Sequence, residues 1–379
     1  MSRVIPPWAS GKMDVNKRPL FVCWEMTKAC NLSCRHCRAR AIKRPLPGEL
    51  SLEEGKKLID QILDFGEPYP AMLFTGGDPL MRPDLMELIE YARDLGIYTA
   101  VAASVTDLLT REKMEQMRDL EVGVMSISID GSDPDTHDNL RGVPGTWERS
   151  MEVLQEANEV GLRIQINSTV MNSNLNQLAD LFYLALKHKV AAWEVFFLVR
   201  TGRGAALENP TPDEVEDVMK FLVFAAGYGI TVRTSEGPQY RRVLRESVNG
   251  PLTGGPLYNK LVQRLKELAG NPVREAPRHI NSTGDGKGVM FVSYNGEINP
   301  SGFLQTNLGK YPEESIVDVY TKNQTFLDLR NPLSLKGKCG RCEYRGFCGG
   351  SRSRAQVETG DILESDPLCI YEPGISAIH

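Results

Sequence analysis

From Arg18 to about Arg200 the chain alternates short β-rich runs with longer segments whose apolar residues recur at helical spacing. The strand-like runs are Pro19–Met26, Ala71–Thr75, Tyr98–Ala103, Gly123–Asp130, Arg163–Val170 and Ala192–Val199. The helical patterns are Ser51–Phe65, Leu85–Leu95, Glu112–Leu120, Trp147–Val160 and Leu175–Lys187. Repeated βα units read as a parallel sheet with its crossover helices packed over it. Count and handedness predict an α/β fold, a partial (β/α)6 barrel rather than a full barrel of eight units.

Local signals agree with that frame. Ser51-x-x-Glu54 is a capping box, and Thr211-Pro212 supplies an N-cap and a first-turn proline ahead of Asp213, Glu214 and Glu216. Past Arg200 the pattern loosens: a helix from Pro212 to about Ala226, a strand-like Ile230–Thr234, and an irregular stretch at Asn249–Pro256. The run GVMFVSYNGEINP from Gly288 reads as a hairpin turning at Asn295-Gly296. We therefore expect a core at 18–205, a connecting helical and loop region at 206–285, and a small C-terminal extension at 286–375.

The 379 residues are 41% hydrophobic and 25% charged, which excludes a disordered or low-complexity chain. A net charge of −5 gives no global field for nucleic acid or an anionic membrane, so neither is an expected partner. The N-terminal text has no apolar run of signal-peptide type, and no later segment offers the ~18 apolar residues of a membrane span. The expected location is cytoplasmic, where clustered cysteines bind metal more often than they form disulfides.

The eight cysteines fall into groups: Cys23; then Cys30, Cys34 and Cys37; then none until Cys339, Cys342, Cys348 and Cys369. Three thiolates on one loop after the first strand suit a soft-metal site at the carboxyl end of the sheet, where α/β barrels build their reactive groups. A four-iron cluster held by three cysteines leaves one iron open; a zinc knuckle or buried thiols are the alternatives. Cys23, within the first strand, reads as a core thiol. The later four thiolates match a tetrahedral zinc or a fully ligated iron–sulfur cluster, and spacing alone does not choose.

The text WEMTKACNLSCRHCRA resembles the radical S-adenosylmethionine (SAM) superfamily, whose signature is this three-cysteine spacing with an aromatic before the third cysteine, a place filled by His36. The resemblance implies a 4Fe-4S cluster on Cys30, Cys34 and Cys37, SAM bound at its open iron, and one-electron cleavage of SAM to a 5′-deoxyadenosyl radical that abstracts hydrogen from substrate. Gly76-Gly77-Asp78 resembles the family's motif for the SAM ammonium. Ser104, Ser128, Asp130, Asn167 and Leu198, at or just beyond strand ends, stand where ribose, carboxylate and adenine contacts are expected. Thr106 and Thr169 accompany them, and Arg141 resembles an arginine near the SAM carboxylate.

The C-terminal text resembles the SPASM extension or its shortened twitch form, which implies that Cys339, Cys342, Cys348 and Cys369 close an auxiliary 4Fe-4S cluster. Serine follows the hairpin proline at Ser301 and stands at Ser351 where some relatives have cysteine, so one auxiliary cluster is expected, two clusters in all.

Phrases along nearly the whole chain are similar to family members that modify tetrapyrrole side chains by propionate decarboxylation in haem biosynthesis. A carboxylate-binding face is expected from Arg200, Arg203, Arg241 and Arg242, with Glu236 and Tyr240 between them, and His279 is a weaker candidate for haem iron. A ferredoxin or flavodoxin would supply electrons. A ribosomal-peptide maturase is the alternative, though the separate recognition domain of at least ~50 residues that many carry is not expected ahead of the barrel. A non-catalytic metal-binding protein is the alternative of another class, which the open three-cysteine site beside Gly76-Gly77-Asp78 disfavours.

Overall fold

The computed structural model describes Pro6, residues 13–274 and residues 283–374. Its strands are β1 Phe21–Glu25, β2 Ala71–Thr75, β3 Thr99–Ala102, β4 Val124–Ser128, β5 Ile164–Val170, β6 Ala192–Phe197, β7 Thr231–Ser235, β8 Val289–Val292, β9 Glu297–Asn299 and β10 Gly309–Lys310. They form one sheet in the order β10-β9-β8-β1-β2-β3-β4-β5-β6-β7. Helices α1 Leu52–Leu63, α2 Leu85–Asp94, α3 Arg111–Asp119, α4 Pro134–Arg141, α5 Thr146–Val160 and α6 Leu178–Lys187 lie between the first six strands; α7 Pro212–Ala225, α8 Gln239–Glu246 and α9 Pro256–Ala269 follow. The capping boxes at Ser51 and Thr211 both form.

The parallel run is longer than the expected six units. Thr231–Ser235 pairs in parallel with β6, and on the other side Val289–Val292 pairs in parallel with β1 before turning back into β9. The sheet therefore runs through the expected boundaries at 205 and 285. Gly296, at a φ of 85°, makes the hairpin turn at the expected place. Residues 251–255 carry no regular structure, whereas α4, α8 and α9 are helices that the sequence reading did not single out.

Strand side chains alternate between two faces. Val22, Trp24, Met72, Phe74, Trp193, Val195 and Val232 join one apolar core with helix residues such as Leu58, Leu88 and Phe182. The opposite face is only partly covered, as the alternating burial of β5 shows, and it carries polar and charged groups including Asn167, Glu194 and Arg233. Pairing places Ser128, Asn167, Glu194 and Arg233 in one row across β4 to β7. This inner face is a polar floor beneath the loops at the strands' carboxyl ends.

The C-terminal residues are tied to the sheet by a buried fork. Arg354 Nε and Nη2 lie 2.8 and 2.9 Å from the Asp366 carboxylate, and Nη2 also donates to the Glu236 carbonyl just beyond β7. Asp366 accepts further hydrogen bonds from the Ser351 amide and from Gln239 at the start of α8. Removing one partner of such a pair strands the other charge in the interior. Asp366→Ala is expected to lower unfolding free energy by about 3–5 kcal/mol, measured by chemical denaturation, whereas Asp94→Ala on the exposed surface of α2 should cost under about 1 kcal/mol.

Candidate active site

The loop after β1 is held at its neck by Cys30 N–H to the Ile42 carbonyl, 2.8 Å, and by Ile42 N–H to the Lys28 carbonyl, 3.0 Å. Amides of Ser33 and Arg35 dock on the carbonyls of Arg141 and Leu140 at the end of α4. From beyond β6, Arg203 braces the middle: its Nε donates to the Cys34 carbonyl at 2.7 Å and its Nη1 to the Ala41 carbonyl at 2.8 Å. Gly202, at a φ of 57°, packs so closely under the loop that a Cβ would sit 2.4 Å from the Cys37 carbonyl oxygen. Each sulfur accepts one N–H: Cys30 from Leu32 (3.3 Å), Cys34 from Arg141 Nη1 (3.5 Å) and Cys37 from Ala41 (3.4 Å). Such donors favour thiolate over thiol and tune the redox potential of an iron–sulfur cluster. Burial, offset by the Ser104 hydroxyl and the Leu32 amide, raises the Cys30 thiol above its ordinary value.

Behind the loop, Asp130 contacts Arg141, accepts the Thr169 amide at 2.6 Å and lies 3.4 Å from His36 Nε2. Burial alone would raise the Asp130 carboxyl; Arg141, then His36, hold it below its usual value. Burial drives His36 down to about 4. His36 Nδ1 and Arg141 Nε are buried with no hydrogen-bond partner among the described residues. Three donor-fed sulfurs flanked by orphaned polar atoms fit a cluster with a polar cofactor beside it.

The Gly76-Gly77-Asp78 motif sits against the neck of the cysteine loop. The Gly77 amide is spent on the Thr27 carbonyl and the Asp78 amide on the Ala29 carbonyl, both at 2.7 Å. A Cβ on Gly77 would lie 2.3 Å from the Ala29 oxygen, so the glycines let the β2 and cysteine loops touch. The Asp78 carboxylate is buried and accepts from Leu80, Ser104 and Thr106; burial pushes it up to about 6. These bonds tie the loops after β2 and β3 together. Ser104 Oγ bonds the Gly77 carbonyl and lies 3.5 Å from Cys30 Sγ. Ser128 and Asn167 stay on the partly open inner face, and Leu198 packs with Leu140 and Met171.

Cys339, Cys342, Cys348 and Cys369 line one concavity. Burial pushes the Cys348 thiol up to about 12 and Cys369 up to about 11. Arg352 Nη2 lies 3.7 Å from Cys339 Sγ. Among the described residues no three Cys, His, Asp or Glu side chains converge closely enough to grip a single ion. Ser301 accepts amides of Phe303 and Leu304 in a turn, and Ser351 caps the helix Arg352–Thr359; both serines have structural work.

The six expected substrate residues do not form one face. Arg242 is buried between Glu216 and Glu246, Arg241 donates to the carbonyls of Phe347 and Thr283, and Arg203 serves the cysteine loop. Tyr240 is in the core, Glu236 is bonded to Ser351 and Ser353, and exposed Arg200 is 3.9 Å from Glu358. A burial-driven preference for spending guanidinium donors internally explains the difference. His279 lies outside the described residues. Cys23 shares the inner face with Glu25, where burial pushes it up to about 12. Glu194 and Arg233 also stand on this inner face, at alternate positions to the core residues of their strands.

Among comparisons with known proteins, the model of the radical SAM superfamily matches residues 24–184. The chain is 37% identical over 360 residues to an AdoMet-dependent heme synthase of Oleidesulfovibrio alaskensis, covering 93% of this chain and 87% of the relative. It is 36% identical over 359 residues to an AdoMet-dependent heme synthase of Methanosarcina barkeri, covering 94% and 97%. A crystal structure of Streptococcus suis SuiB bound to S-adenosylmethionine superposes with a TM-score of 0.67 at 17% identity, covering 94% of this chain and 78% of SuiB; it bears on the fold alone.

Removing the Arg203 brace tests the loop's construction. Arg203→Ala gives up charge-assisted bonds of about 1.5–3 kcal/mol. The expected outcome is faster loss of cluster absorbance under a chelator, with far-ultraviolet circular dichroism unchanged.

Proposed function

Because the chain belongs to the radical SAM superfamily and is a radical SAM enzyme, we propose that its substrate is a tetrapyrrole and its reaction the decarboxylation of haem-type propionate side chains. The observation that carries this reading is end-to-end similarity to proteins named heme synthases, at 37% identity across 93% of the chain. Cys30, Cys34 and Cys37 would hold the SAM-binding 4Fe-4S cluster. When bound, cluster and SAM supply a one-electron reductive cleavage that yields a hydrogen-abstracting radical. Arg203 and the amides of Leu32 and Ala41 fix the loop and feed the sulfurs, Arg141 donates to Cys34, and His36 and Arg141 retain unspent polar atoms for the cofactor. Ser128 and Asn167 line the inner face beneath it.

Cys339, Cys342, Cys348 and Cys369 would hold an auxiliary 4Fe-4S cluster in a SPASM-like or twitch-like extension. With all four positions thiolate, it would serve electron transfer or pocket shape rather than substrate ligation. Support comes from the concavity that the four cysteines share and from turn and capping roles for Ser301 and Ser351. Ferredoxin or flavodoxin is the proposed donor. Among the described residues no helix is long and apolar enough to cross a membrane; we place the enzyme in the cytoplasm.

Conversion of a propionate to a vinyl group would pass one hydrogen atom to the 5′-deoxyadenosyl radical, release one carbon dioxide and pass one electron to an acceptor, a part that the proposed auxiliary cluster would take. Anaerobically reconstituted protein with reductant, SAM and iron-coproporphyrin III is expected to form 5′-deoxyadenosine and a product lighter by two carboxyl groups. Normal SAM cleavage without a mass change would reject the tetrapyrrole reading. Cys30→Ala should abolish SAM cleavage, whereas Cys348→Ala should retain it and stall product formation.

A further inference from the structure

Two charged residues on the inner face take no part in the site described above. Glu194 on β6 and Arg233 on β7 are direct register neighbours, next to Asn167 on β5. Their flanking residues Trp193, Val195 and Val232 belong to the core beneath the helices, so alternation turns Glu194 and Arg233 to the other side. Glu194 is held by Ser235, whose hydroxyl donates to Oε1 at 2.9 Å. Arg233 is half-buried, with no hydrogen bond or ion pair to its guanidinium among the described residues; Glu194 acts on it only through space. In this respect it contrasts with Arg241, Arg242, Arg203, Arg354 and Arg141, each of which has two guanidinium nitrogens engaged inside the protein and one buried nitrogen left over.

An arginine is costly to shield from water unless its donors meet acceptors. Arg233 keeps a planar fork of donors on a partly open floor, in the same row as Ser128 and Asn167. Arg241, with both terminal nitrogens engaged, adds a second positive charge near Glu194, so the local balance favours an incoming anion. One inner-face position further along β6, Phe196 stands 6.2 Å from Phe303, centroid to centroid, and both rings are half-buried. A cationic fork beside two aromatic rings suits a flat ligand with carboxylate arms.

The geometry points to Arg233 as a substrate-binding residue that forks a carboxylate of the substrate, with Phe196 and Phe303 flanking the ring that carries it. This deepens the tetrapyrrole reading and rests on it for the flat polycarboxylate class. The expected loss from removing such a charge-assisted pair is about tenfold or more in affinity.

The test titrates reconstituted enzyme with iron-coproporphyrin III and with its tetramethyl ester, which keeps the ring and removes the charges, following binding by absorbance. Wild type should prefer the free acid by about tenfold or more. Arg233→Ala should lose that preference by weakening the acid and leaving the ester unchanged, and Arg233→Lys should restore part of it. Arg163→Ala, an exposed arginine at the far end of β5, should bind like wild type. Wild type that binds acid and ester equally, or Arg233→Ala that retains the preference, overturns the role of Arg233 and leaves the tetrapyrrole reading standing. Wild type that binds neither porphyrin overturns that reading and this inference together. If Arg233→Ala does not fold, the acid-to-ester ratios of wild type and Arg233→Lys decide: an unchanged ratio rejects the role.

Discussion

The ion pair between Asp130 and Arg141 is the interaction on which the reactive end of the molecule depends. Asp130 stands just past β4, holds the Thr169 amide beyond the middle of β5 and touches His36 in the cysteine loop, while Arg141 reaches from α4 to Cys34 Sγ. Both side chains are almost wholly buried, so neither charge has water as an alternative partner. Because the pair joins strand ends to the cysteine loop, the positions of the three sulfurs are set by the sheet and not by the loop's own flexibility. The Asp78 carboxylate does the equivalent work between β2 and β3, at the cost of being buried among neutral donors.

A second buried network governs the other thiol set. Arg354 and Asp366 join the helix Arg352–Thr359 to the region around α8, and Glu236, in the left-handed region at a φ of 57°, meets Ser351 and Ser353. Burial, then the nearby Asp285, raises the Glu236 carboxyl well above its ordinary value. These contacts make the four C-terminal thiols part of the same body as the sheet. The polar floor lies between the two thiol sets in chain order and shares neighbours with both: Asn167 with the loops at the strand ends, Glu194 with Arg241 and so with the Phe347–Cys348 turn.

Much of this was legible in the sequence. Strands β1 to β6, the capping boxes and the Asn295-Gly296 turn follow from period and turn chemistry, which act over a few residues. The cysteine groups were legible because thiolate chemistry needs several ligands close together. The seventh parallel strand was visible as a strand-like run but not as a member of the sheet, since pairing with β6 is a long-range choice. Helices α8 and α9 escaped notice because α8 is short and charged and α9 follows a Gly- and Pro-rich stretch. The arginines were misread for a related cause: the residue type announces a carboxylate partner but not whether that carboxylate is the protein's own. Arg242 found Glu216 and Glu246, while Arg233 was overlooked in a run too short to declare its inner face.

By itself the sequence determined the βα alternation, the two thiol sets and the chemistry that three clustered cysteines permit, because each rests on local spacing. The tertiary structure decided which polar groups are spent and which remain. Asp78, Arg141, Arg203, Arg241 and Arg242 have most of their polar atoms engaged in holding loops and helices, and Arg233 is left facing the floor, because a buried charge takes the partners the fold brings within reach.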